Sequence, residues 1–137
     1  MHEAEETLRA PAGPKKMDTR KQIGRLGEDA ACNYLDQAGY AIITRNWRCR
    51  SGEIDIIAEC EGRLVFVEVR TRRAGGRFGT AAESVDRRKQ QKVRDIAQVY
   101  LRNVHLQNAA IRFDVITVMI NRIDETITEC KHYEAAF

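Results

Sequence analysis

The sequence predicts an α/β domain in which helices cover a mixed β-sheet. Three observations point there. Apolar residues recur at three- and four-residue spacing in two segments, 23–38 and 85–100. Five runs rich in β-branched residues fill much of the chain from position 41 onward. The second helical segment falls between the runs at 64–71 and 111–120, and is long enough to carry a crossover between parallel strands.

The elements follow in order. Residues 1–20 hold both prolines, mix acids with bases and show no apolar period, which predicts a flexible N-terminal tail before a single domain over 21–137. Ile23, Leu26, Ala30, Ala31, Tyr34, Leu35 and Ala38 form one helix face, which Gly39 ends. Strands are expected at 41–47, 53–59 and 64–71, joined by turns at Arg50-Ser51-Gly52 and around Glu61-Gly62, so the three form an antiparallel meander. The glycine- and arginine-rich stretch 72–83 reads as an exposed loop. Ser84 or Asp86 can cap the second helix, whose stripe is Val85, Val93, Ile96, Ala97 and Tyr100 and which runs to about Arg102. Strands at 111–120 and 126–130, with a turn at 121–125, complete the sheet.

At 137 residues the chain suits one domain, and its 23 Lys and Arg against 20 Asp and Glu give a net charge of only +3. The distribution says more than the sum. From Arg70 to Arg94 nine basic residues face only Glu83 and Asp86, a local excess of +7 that leaves −4 for the rest. Such a field, directly after a hydrophobic strand, suits a phosphate-bearing partner. No apolar run reaches the roughly 18 residues of a membrane span and no secretory leader is visible, so no membrane partner and a cytoplasmic location are expected. Cys32, Cys49, Cys60 and Cys130 lack a CxxC pairing and read as free thiols, and His2, His105 and His132 show no catalytic or metal-binding spacing.

The most informative residues are acids placed where strands should be apolar. Within 53–59, Ile54 and Ile56 are expected on one face, with Glu53, Asp55 and Ile57 on the other. Within 64–71, Val65, Val67 and Val69 share a face opposite Leu64, Phe66, Glu68 and Arg70. The tight turn between the strands brings Asp55 and Glu68 onto neighbouring positions. Two such carboxylates repel unless a proton, a basic side chain or a hard cation intervenes, and Mg2+ or Mn2+ prefers oxygen ligands of this kind. The alternative is structural, with Arg70 neutralising Glu68 and Asp55 bonded to backbone. Glu28 borders the buried helix stripe near Gly24 and Gly27, either as a third carboxylate of the site or as a solvated flank. Lys89, four residues from both Val85 and Val93, faces inward and either reaches phosphate or lays its stem along the core edge. Arg112 and Asp114 share a face of the last long strand and read as structural support. Trp47 and Tyr100 read as packing residues.

The runs GRLGEDAACNYLDQAGY, RNWRCRSGEIDIIA, LVFVEVRTR, SVDRRKQQKV and RFDVI, with the terminal AF, together resemble the YraN family of bacterial proteins. The family's core is similar to restriction-endonuclease-like and Holliday-junction-resolvase-like nucleases. That resemblance implies a restriction-endonuclease-like fold and a metal-dependent site of Glu28, Asp55 and Glu68 holding Mg2+ or Mn2+. Arg70 occupies the position where such nucleases commonly carry lysine, and Lys89 on the neighbouring helix offers an amine in its place. Lysine can lose its proton when desolvated, whereas arginine stays charged, so Arg70 can position phosphate but cannot act as a base. The implied activity is hydrolysis of phosphodiester bonds in DNA, with branched or junction DNA one candidate form; DNA is the expected partner and the choice between DNA and RNA stays open. Arg72, Arg73, Arg77, Arg87, Arg88, Lys92 and Arg94 would hold the backbone, and paired sites in a homodimer would follow from the resemblance to junction resolvases. The alternative is a catalytically weak or inactive nucleic-acid-binding module of the same fold.

Overall fold

The computed structural model describes residues 19–74 and 85–137. Most of the expected tail, together with Arg77 and Ser84, lies outside the described residues. The elements are α1 (Thr19–Gln37), β1 (Ala41–Cys49), β2 (Gly52–Cys60), β3 (Arg63–Arg73), α2 (Arg87–Asn103), β4 (Ile111–Ile120) and β5 (Ile127–Tyr133). α1 therefore opens at Thr19, inside the last two residues assigned to the tail.

The strands form one sheet in the order β1-β2-β3-β4-β5. Neighbours are antiparallel except β3 and β4, which run parallel and are linked through α2. The β2–β3 hairpin turns through Glu61 at φ 54° and Gly62 at φ 76°, two consecutive left-handed residues that match the right-handed twist of the flanking strands. Asp86 caps α2, its carboxylate accepting the Lys89 backbone N–H at 2.9 Å.

Each sheet face has its own core. Ile23, Ala31 and Leu35 of α1 pack with Ile56, Ala58, Val65, Val67, Ile116 and Val118. Val93, Ile96, Ala97, Tyr100 and Leu101 of α2 pack with Ile54, Ile57, Leu64, Phe66 and Phe113 on the other face. Most of each stripe is as read from the apolar spacing, although Tyr34 and Ala38 are exposed and Leu101 joins the α2 core, and this five-stranded mixed sheet flanked by two helices is the restriction-endonuclease-like arrangement. One detail departs from expectation: Ile54 joins Ile57 on the α2 side while Ile56 lies on the α1 side, so strict alternation fails across Asp55. The break falls where the β2–β3 ladder ends, between Ile54 and Ile56, and opposite Asn46 of β1, whose φ is 51°.

Two glycines set the helix-to-sheet distances. A Cβ on Gly27 would collide with the Thr71 hydroxyl, so α1 meets β3 backbone to side chain there. At Gly52, φ 143°, a Cβ would sit 3.0 Å from Ile96 Cδ1 and 3.3 Å from Lys92 Cε. Gly24, by contrast, has open space where its side chain would be, and only Gly27 provides the close approach.

Arg112 and Asp114 form the internal clamp. Arg112 donates to both Asp114 oxygens, at 2.9 and 2.8 Å, and to the Tyr40 hydroxyl at 2.6 Å. Asp114 also takes the Ala135 backbone N–H at 3.0 Å and lies 2.7 Å from His132 Nε2, joining β4 to β5 and the chain end. His132 thus has a partner that its sequence spacing did not reveal. Burial works against the ionised Asp114, but the His132 and Arg112 hydrogen bonds outweigh it and hold its carboxyl below the ordinary range. Among the described residues no helix is long and apolar enough to cross a membrane.

Candidate functional site

β2 and β3 bring two carboxylates together. Their register pairs Ile56 with Val67, and one further step sets Asp55 beside Glu68. Asp55 Oδ2 accepts the Val69 backbone N–H at 2.8 Å, so a side chain takes up a β3 donor where the ladder ends. Glu68 is 2% exposed. Its Oε1 lies 3.5 Å from Lys89 Nζ, which the first turn of α2 delivers, while its Oε2 is buried without a hydrogen-bond partner among the described residues.

The electrostatics follow from this geometry. Burial is the first cause raising the Glu68 carboxyl, to about 8, with the Asp55 charge adding to it and the Lys89 ammonium opposing. Burial likewise raises Asp55 to about 6; the Val69 N–H opposes this and the Glu28 charge reinforces it. Near neutral pH the two groups act as a pair that retains a proton, unless a cation replaces it.

Arg70 does not pair with Glu68. It is half-buried on β3, and its Nε is a second buried polar atom with no partner among the described residues. The structural alternative in which Arg70 neutralises Glu68 therefore has a different cation, Lys89, in that role. Buried polar atoms are nearly always satisfied, and here the two exceptions lie two residues apart on one strand.

Glu28 approaches from the α1 side. Asn46 Nδ2 donates to its Oε1 at 3.2 Å, and the Arg45 guanidinium is 3.9 Å from the same oxygen. Glu28, Asn46 and Arg45 line a cleft of about 650 Å³ between α1 and β1. Among the described residues no three His, Cys, Asp or Glu side chains converge as a metal-ligand set. The Glu28 charge acts on Asp55, and β1 holds Glu28 by Oε1 alone; the oxygen donors of Asp55 and Glu68 suit a hard divalent ion.

The basic residues divide. Arg87, Arg88 and Lys92 are exposed along α2, and Arg88 and Lys92 line an open groove of about 660 Å³ with Ser51 and Gln91. Arg73 lies 3.6 Å from Glu125, and Arg72 donates to the Thr71 carbonyl at 3.0 Å. Arg94 sits over the Phe137 and Phe113 rings, 5.3 and 6.0 Å from their centroids, as part of the seam that stacks the last residue on β4.

Sequence reading passed over Asn46. Its φ of 51° within a strand leaves no trace in composition, although asparagine is among the residues most tolerant of that backbone region.

Known proteins resemble this chain over most of its length. The model of the uncharacterised protein family UPF0102 matches residues 27–118, which contain Glu28, Asp55, Glu68 and Lys89. A UPF0102 protein of Caldanaerobacter subterraneus subsp. tengcongensis is 41% identical over 122 residues, 89% of this chain and 99% of the relative. One of Pelotomaculum thermopropionicum is 42% identical over 120 residues, 88% of this chain and 98% of its own. One of Rhodococcus opacus reaches 49% over 98 residues, 72% of this chain and 82% of its own. The extent of these matches, and the presence of the GE, GEID and FVEV segments inside the matched region, lead to one assignment: the chain belongs to the UPF0102 family.

Proposed function

We propose that this protein is a nucleic-acid-binding domain of nuclease-like fold, which grips the phosphate backbone along α2 beside the Asp55–Glu68 pair. The observation that carries the reading is that one helix does two things. α2 presents Arg87, Arg88 and Lys92 to solvent and in the same turns sends Lys89 to Glu68. A polyanion lying on the exposed face is thereby led to a buried acidic pair rather than held on an unrelated surface. Contacts of this type fix position and carry no base sequence information, so the reading expects recognition by charge and shape.

A second reading, hydrolysis of the bound phosphodiester, is favoured by the unpartnered Oε2 of Glu68. Asp55 and Glu68 would hold one Mg2+ or Mn2+, since two carboxylates with an uncommitted buried oxygen fit a hard ion. Once bound, such an ion supplies Lewis acidity and lowers the pKa of its water. The chain's own residues would then orient the substrate, with Lys89 on a phosphate oxygen and Arg70 donating to another from its fixed charge. Arg70 stays charged, one oxygen of Asp55 is taken by Val69 and the Lys89 amine is paired with Glu68, so binding is the stronger of the two functions.

Wild-type protein should be tested for binding and for Mg2+- or Mn2+-dependent cleavage on single- and double-stranded DNA, forks, flaps, four-way junctions and matching RNA. Binding without cleavage is the expected result. Cleavage that disappears in Asp55→Asn and Glu68→Gln, with binding kept, would promote the second reading. Absence of binding to every substrate at low salt would reject both.

A further inference from the structure

Asn46 is the residue on β1 that ordinary strand geometry does not explain. Its neighbours pair regularly, Arg45 with Ile56 and Trp47 with Ile54, and this register sets Asn46 opposite Asp55. Its φ of 51° is left-handed. In a regular strand consecutive side chains face opposite sides. Here Arg45 and Asn46 both reach α1: Arg45 donates to Asp29 at 2.8 Å, and Asn46 donates to Glu28 at 3.2 Å. Trp47 then returns to the α2 side, edge-on to Tyr100 at 5.2 Å. The left-handed residue is what lets two successive side chains serve the same helix.

The use made of this arrangement is specific. The Asn46 amide and the Arg45 guanidinium both meet Oε1 of Glu28, and none of the described residues engages Oε2. Outer partners of a metal centre orient its ligands through hydrogen bonds, and a carboxylate held at one oxygen has the other left to accept from a water. Divalent-ion sites with few protein carboxylates keep several waters, so a carboxylate that does not converge with Asp55 and Glu68 as a third ligand still has a place in the site. Backbone strain that persists at a surface position, where a plain strand residue would avoid it, accords with that role.

We propose that Asn46 is a positioning residue. Its left-handed backbone turns its amide to Glu28, fixing that carboxylate so that its second oxygen receives a water of a hydrated divalent cation carried by Asp55 and Glu68. This rests on the divalent-ion reading of the Asp55–Glu68 pair given above.

The test is Mn2+ affinity, measured by calorimetry on the full chain, together with the unfolding midpoint. Asn46→Gly keeps the left-handed backbone available and removes the amide, whereas Asn46→Ala removes the amide and strains the backbone. Both variants should bind Mn2+ about tenfold more weakly, equally to one another, although Asn46→Ala is the less stable. Glu28→Gln should give the same loss, and Glu28→Gln combined with Asn46→Gly no more than either alone. Wild-type affinity in Asn46→Gly, or a loss that follows stability across the two variants, would overturn the positioning role. So would wild-type affinity in Glu28→Gln. A folded wild-type protein that binds no Mn2+ would overturn the divalent-ion reading itself, and this inference with it.

Discussion

Lys89 Nζ lies 3.5 Å from Oε1 of Glu68, a contact that joins the exposed helix α2 to a buried carboxylate on β3. The Asp86 cap places the lysine in the first helical turn, and the parallel β3–β4 crossover places that turn over β3. The ammonium sits at the surface end of this contact, with 40% of its side chain exposed against 3% for Glu68. An incoming phosphate can therefore share the lysine without unburying the acid.

The acid pair makes stability depend on pH in a definite sense. Burial raises Glu68 to about 8 and Asp55 to about 6, above their ordinary values of 4.5 and 3.8. Between the ordinary and raised values the folded chain keeps protons that the unfolded chain has released, so stability falls as pH rises across that window. In the presence of a chelator the thermal midpoint should drop from pH 5 to pH 8. Glu68→Gln should flatten that slope and raise stability at pH 8 by on the order of 1–3 kcal/mol. Lys89→Met should steepen it, by removing the cation that opposes the Glu68 shift. Denaturation curves at several pH values decide the matter, and a midpoint that rises toward pH 8 in the wild type would contradict this electrostatic assignment.

At the α1–β3 contact the expected effect is steric. A Cβ on Gly27 would strike the Thr71 hydroxyl, which is carried by a strand and cannot swing away freely. Gly27→Ala should cost about 1–3 kcal/mol by overpacking. Adding Thr71→Ala should recover part of that loss, whereas Gly24→Ala, where space is open, should leave stability unchanged or slightly improved. Chemical denaturation of the three variants separates these outcomes.

The Asp114 cluster should prove structural. Asp114 accepts from Arg112 and from the Ala135 N–H and meets His132, all within the buried seam between β4 and the chain end. Asp114→Asn leaves the half-buried Arg112 guanidinium with only the exposed Glu134, 3.6 Å away, as counter-charge and should destabilise by up to about 3 kcal/mol. Nucleic-acid affinity, measured where the variant remains folded, should match the wild type. A selective loss of binding with stability intact would instead make this cluster part of the interface.

Much of the fold was legible because its determinants are periodic. The stripes of α1 and α2 predict the two cores, and the runs of β-branched residues predict all five strands. Asp55 and Glu68 were legible for the opposite reason, as acids that interrupt apolar rows on strands joined by a short turn. Four features were not. Ile54 changes sides at the point where β2 leaves β3 and faces the left-handed Asn46 of β1, a tertiary fact that alternation cannot encode. His132 meets Asp114 across paired strands, beyond the reach of local spacing. Arg94, one of a uniform basic run in sequence, is withdrawn by Phe137 and Phe113, so charge counting overstates the exposed field. Asn46 belongs with these cases, since its role depends on one backbone angle.

The central claim, that α2 holds a nucleic-acid backbone, is tested most directly by the salt dependence of DNA affinity, followed by fluorescence anisotropy. Affinity should fall linearly with salt on logarithmic axes, with a slope that counts the phosphates neutralised. Arg88→Glu with Lys92→Glu should weaken binding uniformly across sequences and reduce the slope by about two. Equal affinity and slope in wild type and variant would contradict the claim.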